Sequence, residues 1–313
     1  MFEIKKVIRQ AAILLAVFCM SDLIAGNSKA YINGSIHTFD ENLTVTESIL
    51  VKDGVIELVG SQADVIKNAD ESIEIVDLQG RMMMPSFHDA HAHPIWNGMD
   101  FLQCSVFDLL TINEIQDRIR ACLEEDHVKT SGWVVGAGLN AGLFPAANPN
   151  KSLFDEVSVD IPIYIEMSDG HNALVNTKAL ELAGINRDTK DPFKGIIERD
   201  PITGEPSGTL REPSAMNLVA DVLPTETPEL RLNGLLYAQN LASSFGITSM
   251  IDAAVNEPYL ISFKDLAQKG ELNLRMTACI EYGRQHYVQE FSGFEDVYKR
   301  RSEFEHPRIN TNC

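Results

Sequence analysis

The chain has 313 residues, 44% of them hydrophobic and 23% charged. That is ordinary globular composition, with room for one large domain or two modest ones. Its 26 Lys and Arg against 45 Asp and Glu leave a formal charge of −19, which argues against nucleic acid or anionic membrane as a partner, since both would be repelled. Acidity does not name a substrate, because acidic surfaces serve solubility as often as recognition.

Taken from the N-terminus, Lys5, Lys6 and Arg9 precede the apolar run "AAILLAVFCM" (residues 11–20), followed by Ser21, Ala25 and Gly26. Positive, apolar and small residues in that order match a secretory signal over residues 1–26, with cleavage near Ala25 or Gly26 and export to the periplasm or exterior. A buried or frayed helix is the alternative. The run is too short to cross a bilayer as a helix and Asp22 ends it, so no integral membrane span is expected. Cys19 does not read as a lipid anchor, because bulky Phe18 stands where a small residue is needed.

Residues 27–80 read as a small β-domain. "KAYINGSIHTF", "ESILVKDGVIELVG" and "IEIVDL" are strand-like, and Asp53-Gly54 between "ILVK" and "VIELV" is a hairpin signal. Met82–Phe87 reads as a buried strand leading into "HDAHAHP" (88–94). On a strand, residues two apart share a side, so Asp89, His91 and His93 lie on one face and His88 and Ala92 on the other. Two imidazoles about 6–7 Å apart on one strand face can converge on a metal ion, and imidazole suits zinc, iron, nickel and cobalt alike.

Beyond residue 94 helices and strands alternate. "TINEIQDRIRACLEED" (111–126) has apolar residues at helical spacing, with Thr111 as N-cap and Glu114 three residues on. "GWVVGAG" and "IPIYIEM" read as buried strands, "NTKALELAGI" as a short helix stopped by Gly184, and "KGIIERDPITGEPSGTLRE" as a hairpin. "PELRLNGLLYAQNLASSFG" then "ITSMIDA", and "EPYLISFKDLAQKG" then "LNLRMTACIEY", form two helix–Gly–strand units. Such units imply a parallel sheet, and a (β/α) barrel of about 250 residues is one closed solution. "SGFEDVYKRRSEF" reads as a last helix. Cys104, Cys122, Cys279 and Cys313 show no C-x-x-C spacing. A disulfide among them stays open, with free core or surface thiols as the default.

Four blocks carry a family resemblance: "GRMMMPSFHDAHAHP", "SDGHNALVNTKALELAGI" (168–185), "GEPSGTLRE" (204–212) and "FGITSMIDA" (245–253). In this order they resemble the amidohydrolase superfamily, in its YtcJ-like or amidohydrolase 3 branch, with Ser86 where the family signature has glycine. The resemblance implies an α/β fold in which a small composite β-domain precedes a TIM-like (β/α) barrel with an insertion. It implies a metal-dependent hydrolase acting on non-peptide carbon–nitrogen bonds, amide or formamide, of a small molecule. The cofactor would be a divalent metal, zinc first, with iron, nickel, cobalt or manganese as alternatives. His91 and His93 carry over as metal ligands, and His171 and Glu212 become the candidates for catalytic roles at the site.

Each candidate has a plainer reading. His171 could cap a helix beginning near Ala173, with Asp169 as that helix's N-cap, and Glu212 could pair with its neighbour Arg211 on the surface. Asp89 is expected to orient a ligand histidine or to brace the strand. Trp96 and Met99 are expected in a pocket wall or core, and His37, His127, His286 and His306 facing solvent. In the family, further strands carry a lysine, two more histidines and an aspartate of the site. Residues 81–313 therefore read as the first portion of a barrel, truncated. Three hypotheses follow: an incomplete exported amidohydrolase; an inactive remnant that binds ligand or metal, or is completed by another chain; and a metal-binding α/β protein outside hydrolysis. Oligomeric state is not readable from the sequence.

Overall fold

The computed structural model describes residues 28–281 and 294–313. The proposed signal segment and His286 lie outside them. The chain divides into two compact units between Ser86 and Phe87.

In the first unit, strands β1 (Lys29–Ile32), β2 (Ser35–His37), β3 (Val45–Thr46), β4 (Ser48–Lys52) and β5 (Val55–Gly60) precede helix α1 (Gln62–Asn68), β6 (Glu74–Asp77) and β7 (Met82–Met83). They form two sheets, in the orders β5-β4-β1-β6 and β3-β2-β7. The hairpin expected at Asp53-Gly54 joins β4 to β5, and both turn residues have positive φ, 50° and 79°. That is what a two-residue turn demands and what Asp-Gly tolerates. Ala30, Leu50, Val65 and Ile73 make a small core. The single buried strand expected over Met82–Phe87 does not form. Met82–Met83 pairs with β2 in this unit, Met82 is 62% exposed, and Pro85 separates it from the next strand.

Among the described residues the second unit holds two sheets. Strand β8 (Phe87–Ala92) runs directly into helix α2 (Pro94–Leu102), then α3 (Ile112–Cys122) and α4 (Asp126–Ser131). A mixed sheet follows, made of β9 (Val134–Leu139), β10 (Ile163–Met167), β11 (Asn172–Val175), β12 (Ile196–Arg199) and β13 (Pro206–Arg211) in the order β12-β13-β11-β10-β9. Short helix α5 (Ser152–Asp155) precedes β10, and α6 (Thr177–Leu182) follows β11. Apolar residues pack on both faces of this sheet. Ile163, Ile165 and Leu174 face one core, with Ile115 and Ile119 of α3, while Tyr164, Ala173 and Val175 face the other. Burial on both sides explains why "IPIYIEM" is almost continuously apolar. Thr111 and Glu114 form the expected capping box at the start of α3.

Helices α7 (Pro213–Ala220) and α8 (Pro228–Ser244) lead to β14 (Ile247–Val255), α9 (Glu257–Gln268) and β15 (Arg275–Ile280). Helix α10 (Phe294–Lys299) and β16 (Ile309–Asn310) close the described chain. Strands β16-β15-β14-β8 form an all-parallel sheet, as the two helix–Gly–strand units predict. Its core joins Ile95 and Met99 of α2, Leu235 and Ala242 of α8, and Leu260 and Phe263 of α9. Helices α2 and α8 meet glycine to glycine. A Cβ on Gly98 would lie 2.0 Å from the Gly234 carbonyl oxygen.

The four cysteines are not free thiols. Cys104 pairs with Cys122, and Cys279 with Cys313. Each bridge joins segments that the fold, not the spacing, brings together.

Candidate active site

Strand β8 delivers the two histidines, but not both as strand residues. The strand ends at Ala92, and His93 is the N-cap of α2, φ −135° and ψ 70°, with its side chain making no cap hydrogen bond. The imidazole is thereby released from backbone duty. The His91 and His93 rings lie 5.3 Å apart between centroids, edge to face at 84°. His93 also packs against Trp96, at 5.6 Å.

The residue that fixes His93 comes from β14, 159 positions away. Asp252 Oδ1 is 3.2 Å from His93 Nδ1, with the Asp252 side chain 1% exposed and that of His93 24%. A register shift between Met250 and Asp252, where β14 pairs with β8, sets Asp252 opposite Ala92 at the end of that strand. With Nδ1–H donating to the buried carboxylate, Nε2 keeps its lone pair for another partner. A carboxylate behind an imidazole is the usual support of a metal-ligating histidine. Asp89 does not play this part. Its Oδ1 accepts the His91 backbone N–H at 3.0 Å, so it braces the strand end.

His171 reaches the same place from the mixed sheet. Asp169 caps no helix there, because residues 172–175 form β11 and the helix starts only at Thr177, capped by Asn176. Asp169 instead holds the turn, accepting from the backbone N–H of His171 at 2.9 Å and from Asn172 Nδ2 at 2.6 Å. Nor does Glu212 pair with Arg211, which turns to Glu198. Glu212 Oε2 lies 3.4 Å from His171 Nδ1, and its backbone N–H donates to the His171 carbonyl at 2.7 Å. Glu212 is held at φ +67°, ψ 153°, an uncommon conformation for a residue with a side chain. His93, Trp96, Tyr164, Glu166, His171 and Glu281 face one cavity of about 260 Å3.

The structure therefore brings His93 and His171 to one cavity, with His91 beside the first and Glu212 beside the second. Asp252, Tyr164 and Glu166 were missed by the sequence reading. For Glu166 the signal was a charge inside an otherwise apolar strand; for Asp252 it was the aspartate of "ITSMIDA", whose partner cannot be read locally. Of the other histidines, His127 faces solvent as expected, whereas His37 and His306 are half-buried. Trp96 is half-buried in the cavity wall and Met99 is core.

The donor chemistry fits a divalent metal in part. His91 and His93 offer two imidazole nitrogens, one of them buttressed by Asp252. Among the described residues no three His, Cys, Asp or Glu side chains are grouped closely enough to hold an ion.

Residues 74–310 match the amidohydrolase family Amidohydro_3. Protein LONG AFTER FAR-RED 3 of Arabidopsis thaliana is 31% identical over 220 residues, which cover 70% of this chain and 37% of that protein. An N-substituted formamide deformylase of Arthrobacter pascens is 32% identical over 188 residues, covering 59% of this chain and 34% of the relative. The chain thus spans about a third of the length of these relatives. A metal-dependent hydrolase of Pyrococcus horikoshii OT3 superposes over 90% of this chain and 53% of its own, with a TM-score of 0.65 at 23% identity, a likeness of fold alone.

Proposed function

This chain belongs to the amidohydrolase family, and from that premise we propose that it carries part of the active site of a metal-dependent hydrolase. The reaction proposed is cleavage of a non-peptide carbon–nitrogen bond, an amide or formamide, in a small molecule. The observation that carries the reading is the buried Asp252 carboxylate on His93 Nδ1, which presents Nε2 at the end of a parallel strand beside a cavity. In α/β barrels that end of the strands is where catalytic groups collect. The deformylase named above supports a formamide as the first substrate to try.

His91 and His93 would hold the metal, zinc first, with iron, nickel, cobalt or manganese as alternatives. Such an ion supplies a water of near-neutral pKa and polarises the scissile carbonyl. The chain's own groups do the rest. Asp252 keeps His93 in one tautomer and one orientation. His171, with Nδ1 tied to Glu212, has Nε2 left to exchange a proton with, or donate a hydrogen bond to, a group in the cavity. Trp96, also in the cavity wall, packs against the His93 ring. Further ligands are required beyond the two histidines, and the activity is proposed for the whole catalytic unit.

Export fits the two disulfides, since such bridges persist in oxidising compartments. Among the described residues no helix is long and apolar enough to cross a membrane. Finding the protein in the reducing cytosol with Cys104, Cys122, Cys279 and Cys313 all alkylatable would contradict export.

The experiment is formate release from an N-substituted formamide by the zinc-loaded catalytic unit, this chain together with the further ligands it requires. The expected result is metal-dependent release that falls at least 100-fold in His93→Ala and about tenfold to 100-fold in His171→Ala, the size typical of a lost acid–base group. Release that is indifferent to chelator and to His93→Ala would overturn the reading.

A further inference from the structure

The cavity beside His93 and His171 has one wall with no role so far, a face of helix α7. Pro213, Met216, Asn217 and Ala220 face the cavity, positions that fall on one side of a helix. On the opposite side, Ala215 and Val219 are buried in the core with Leu180 and Leu210. Three of the four cavity-facing side chains are apolar. Asn217 alone brings polar atoms to this wall.

The helix has little freedom to turn. Pro213 opens it directly after Glu212, whose carbonyl accepts from the backbone N–H groups of Ala215 at 3.0 Å and Met216 at 3.1 Å. Glu212 is in turn tied to His171 through its own N–H and its carboxylate. The residue that holds His171 therefore also sets where Asn217 stands. Most other polar groups of the cavity have partners. His93 meets Asp252, His171 meets Glu212, Asn256 Oδ1 accepts the Tyr259 N–H at 3.0 Å, and Tyr164 Oη donates to Glu166 Oε1 at 3.4 Å. Asn217 is half-buried, and among the described residues its side-chain amide has no hydrogen-bond partner. Glu281 also faces the cavity, but a carboxylate only accepts, and covering it with a neutral ligand costs hydration of its charge. An asparagine amide offers an acceptor and two donors without charge, the complement of a neutral amide.

We propose that Asn217 is a specificity-determining residue: its Oδ1 accepts the N–H of the substrate, so that the site selects N–H-bearing amides and formamides over tertiary ones and over esters. A site that hydrogen-bonds a substrate N–H discriminates against analogues lacking it, because the protein group is then left without a partner. The assignment rests on the proposed reacting centre for the bond that is cleaved; the selection itself is readable from binding.

The probe is N-cyclohexylformamide, compared with N-cyclohexyl-N-methylformamide and cyclohexyl formate. The methyl group of the tertiary formamide could be excluded by size, but the ester carries none, so a deficit common to both analogues reports the missing N–H. Dissociation constants are read from tryptophan emission, Trp96 lying in the same cavity wall, in metal-free protein so that no turnover intervenes. The expected result is binding of the secondary formamide at least fivefold tighter than of either analogue. That preference falls below twofold in Asn217→Leu and in Asn217→Ala, while both analogues bind these variants within twofold of wild type. A merely structural role for Asn217 would weaken all three ligands together. Alanine, the better helix former, keeps the test open should leucine disturb α7. Absence of binding, equal binding of the three ligands to wild type, or a preference that survives in both variants would overturn the assignment. So would a preference lost in Glu281→Leu and kept in the Asn217 variants. Selective binding without formate release by the catalytic unit would sink the reacting centre and leave Asn217 standing; release without the preference would do the opposite.

Discussion

At the scale of single residues, two buried carboxylates, Asp252 and Asp100 of α2, behave in opposite ways. Asp252 is buried and spends its charge on His93 Nδ1, besides accepting the Ala254 backbone N–H at 3.2 Å. Removing that support typically weakens metal affinity 10- to 100-fold, so Asp252→Asn should show such a loss in a competitive chelator titration while retaining its fold. Affinity equal to wild type would mean that the His93–Asp252 contact is only structural. Asp100 is the opposite case. Desolvation pushes its carboxyl up to about 7, the Asn97 hydrogen bond works against the shift, and Glu226 adds to it. Because the folded state holds this proton more tightly than the unfolded chain, stability falls as pH rises from about 4 to about 7 and is level above. The loss is on the order of 4 kcal/mol. Urea unfolding of Asp100→Asn should therefore show a stability gain over wild type that grows across that window. A difference independent of pH would contradict it. His91 and His93 stood out in D-x-H-x-H through its place before the α/β units and the family blocks, although the strand alternation holds only to Ala92 and His93 caps α2. Asp252 did not stand out, because its contact with His93 lies in a strand pairing across 159 residues. Asp100 was hidden for another reason: an aspartate within a helix reads as solvent-facing until the neighbouring elements are in place.

At the scale of elements, the tight contact is between α2 and α8. Helix α2 follows His93 without a break, so whatever seats α2 seats the imidazole. Gly98 and Gly234 allow the two backbones to approach, and Ile95, Met99 and Leu235 pack around them. A methyl group at Gly98 would sit 2.0 Å from the Gly234 carbonyl oxygen, forcing the helices apart. Alanine in a helix is otherwise favoured over glycine by about 0.5–1 kcal/mol, so the sign decides the matter. Gly98→Ala should lower the melting temperature, at a cost of about 1–3 kcal/mol, and a raised melting temperature would show the contact to be looser than described. Most helices and strands followed from periodicity and punctuation: the capping box at Thr111, the Asp53-Gly54 hairpin and both helix–Gly–strand units stand where the residues put them. The errors have physical causes. Pro85 and the pairing of Met82–Met83 with β2 divide what looked like one apolar strand. Residues 172–175 form a strand because β10 and β13 flank them, a neighbourhood that helical spacing downstream cannot reveal.

At the scale of the molecule, the fold is α/β of the amidohydrolase kind, with a parallel sheet that carries the histidines and a mixed sheet that carries His171. Two disulfides close loops of 18 and 34 residues, each worth about 3–4 kcal/mol by restricting the unfolded chain. Neither pairing was legible, since spacing leaves three connectivities open for four cysteines. His91 and His93, backed by Asp252, are proposed to bind a divalent metal together with further ligands, and a metal assay reads this out. The proposal is tested most directly by elemental analysis of the protein after zinc loading and gel filtration, in parallel with the His91→Ala, His93→Ala double variant and its circular dichroism. We predict bound zinc in the wild-type protein and its loss from a folded double variant. Zinc content unchanged by the double substitution would contradict the account.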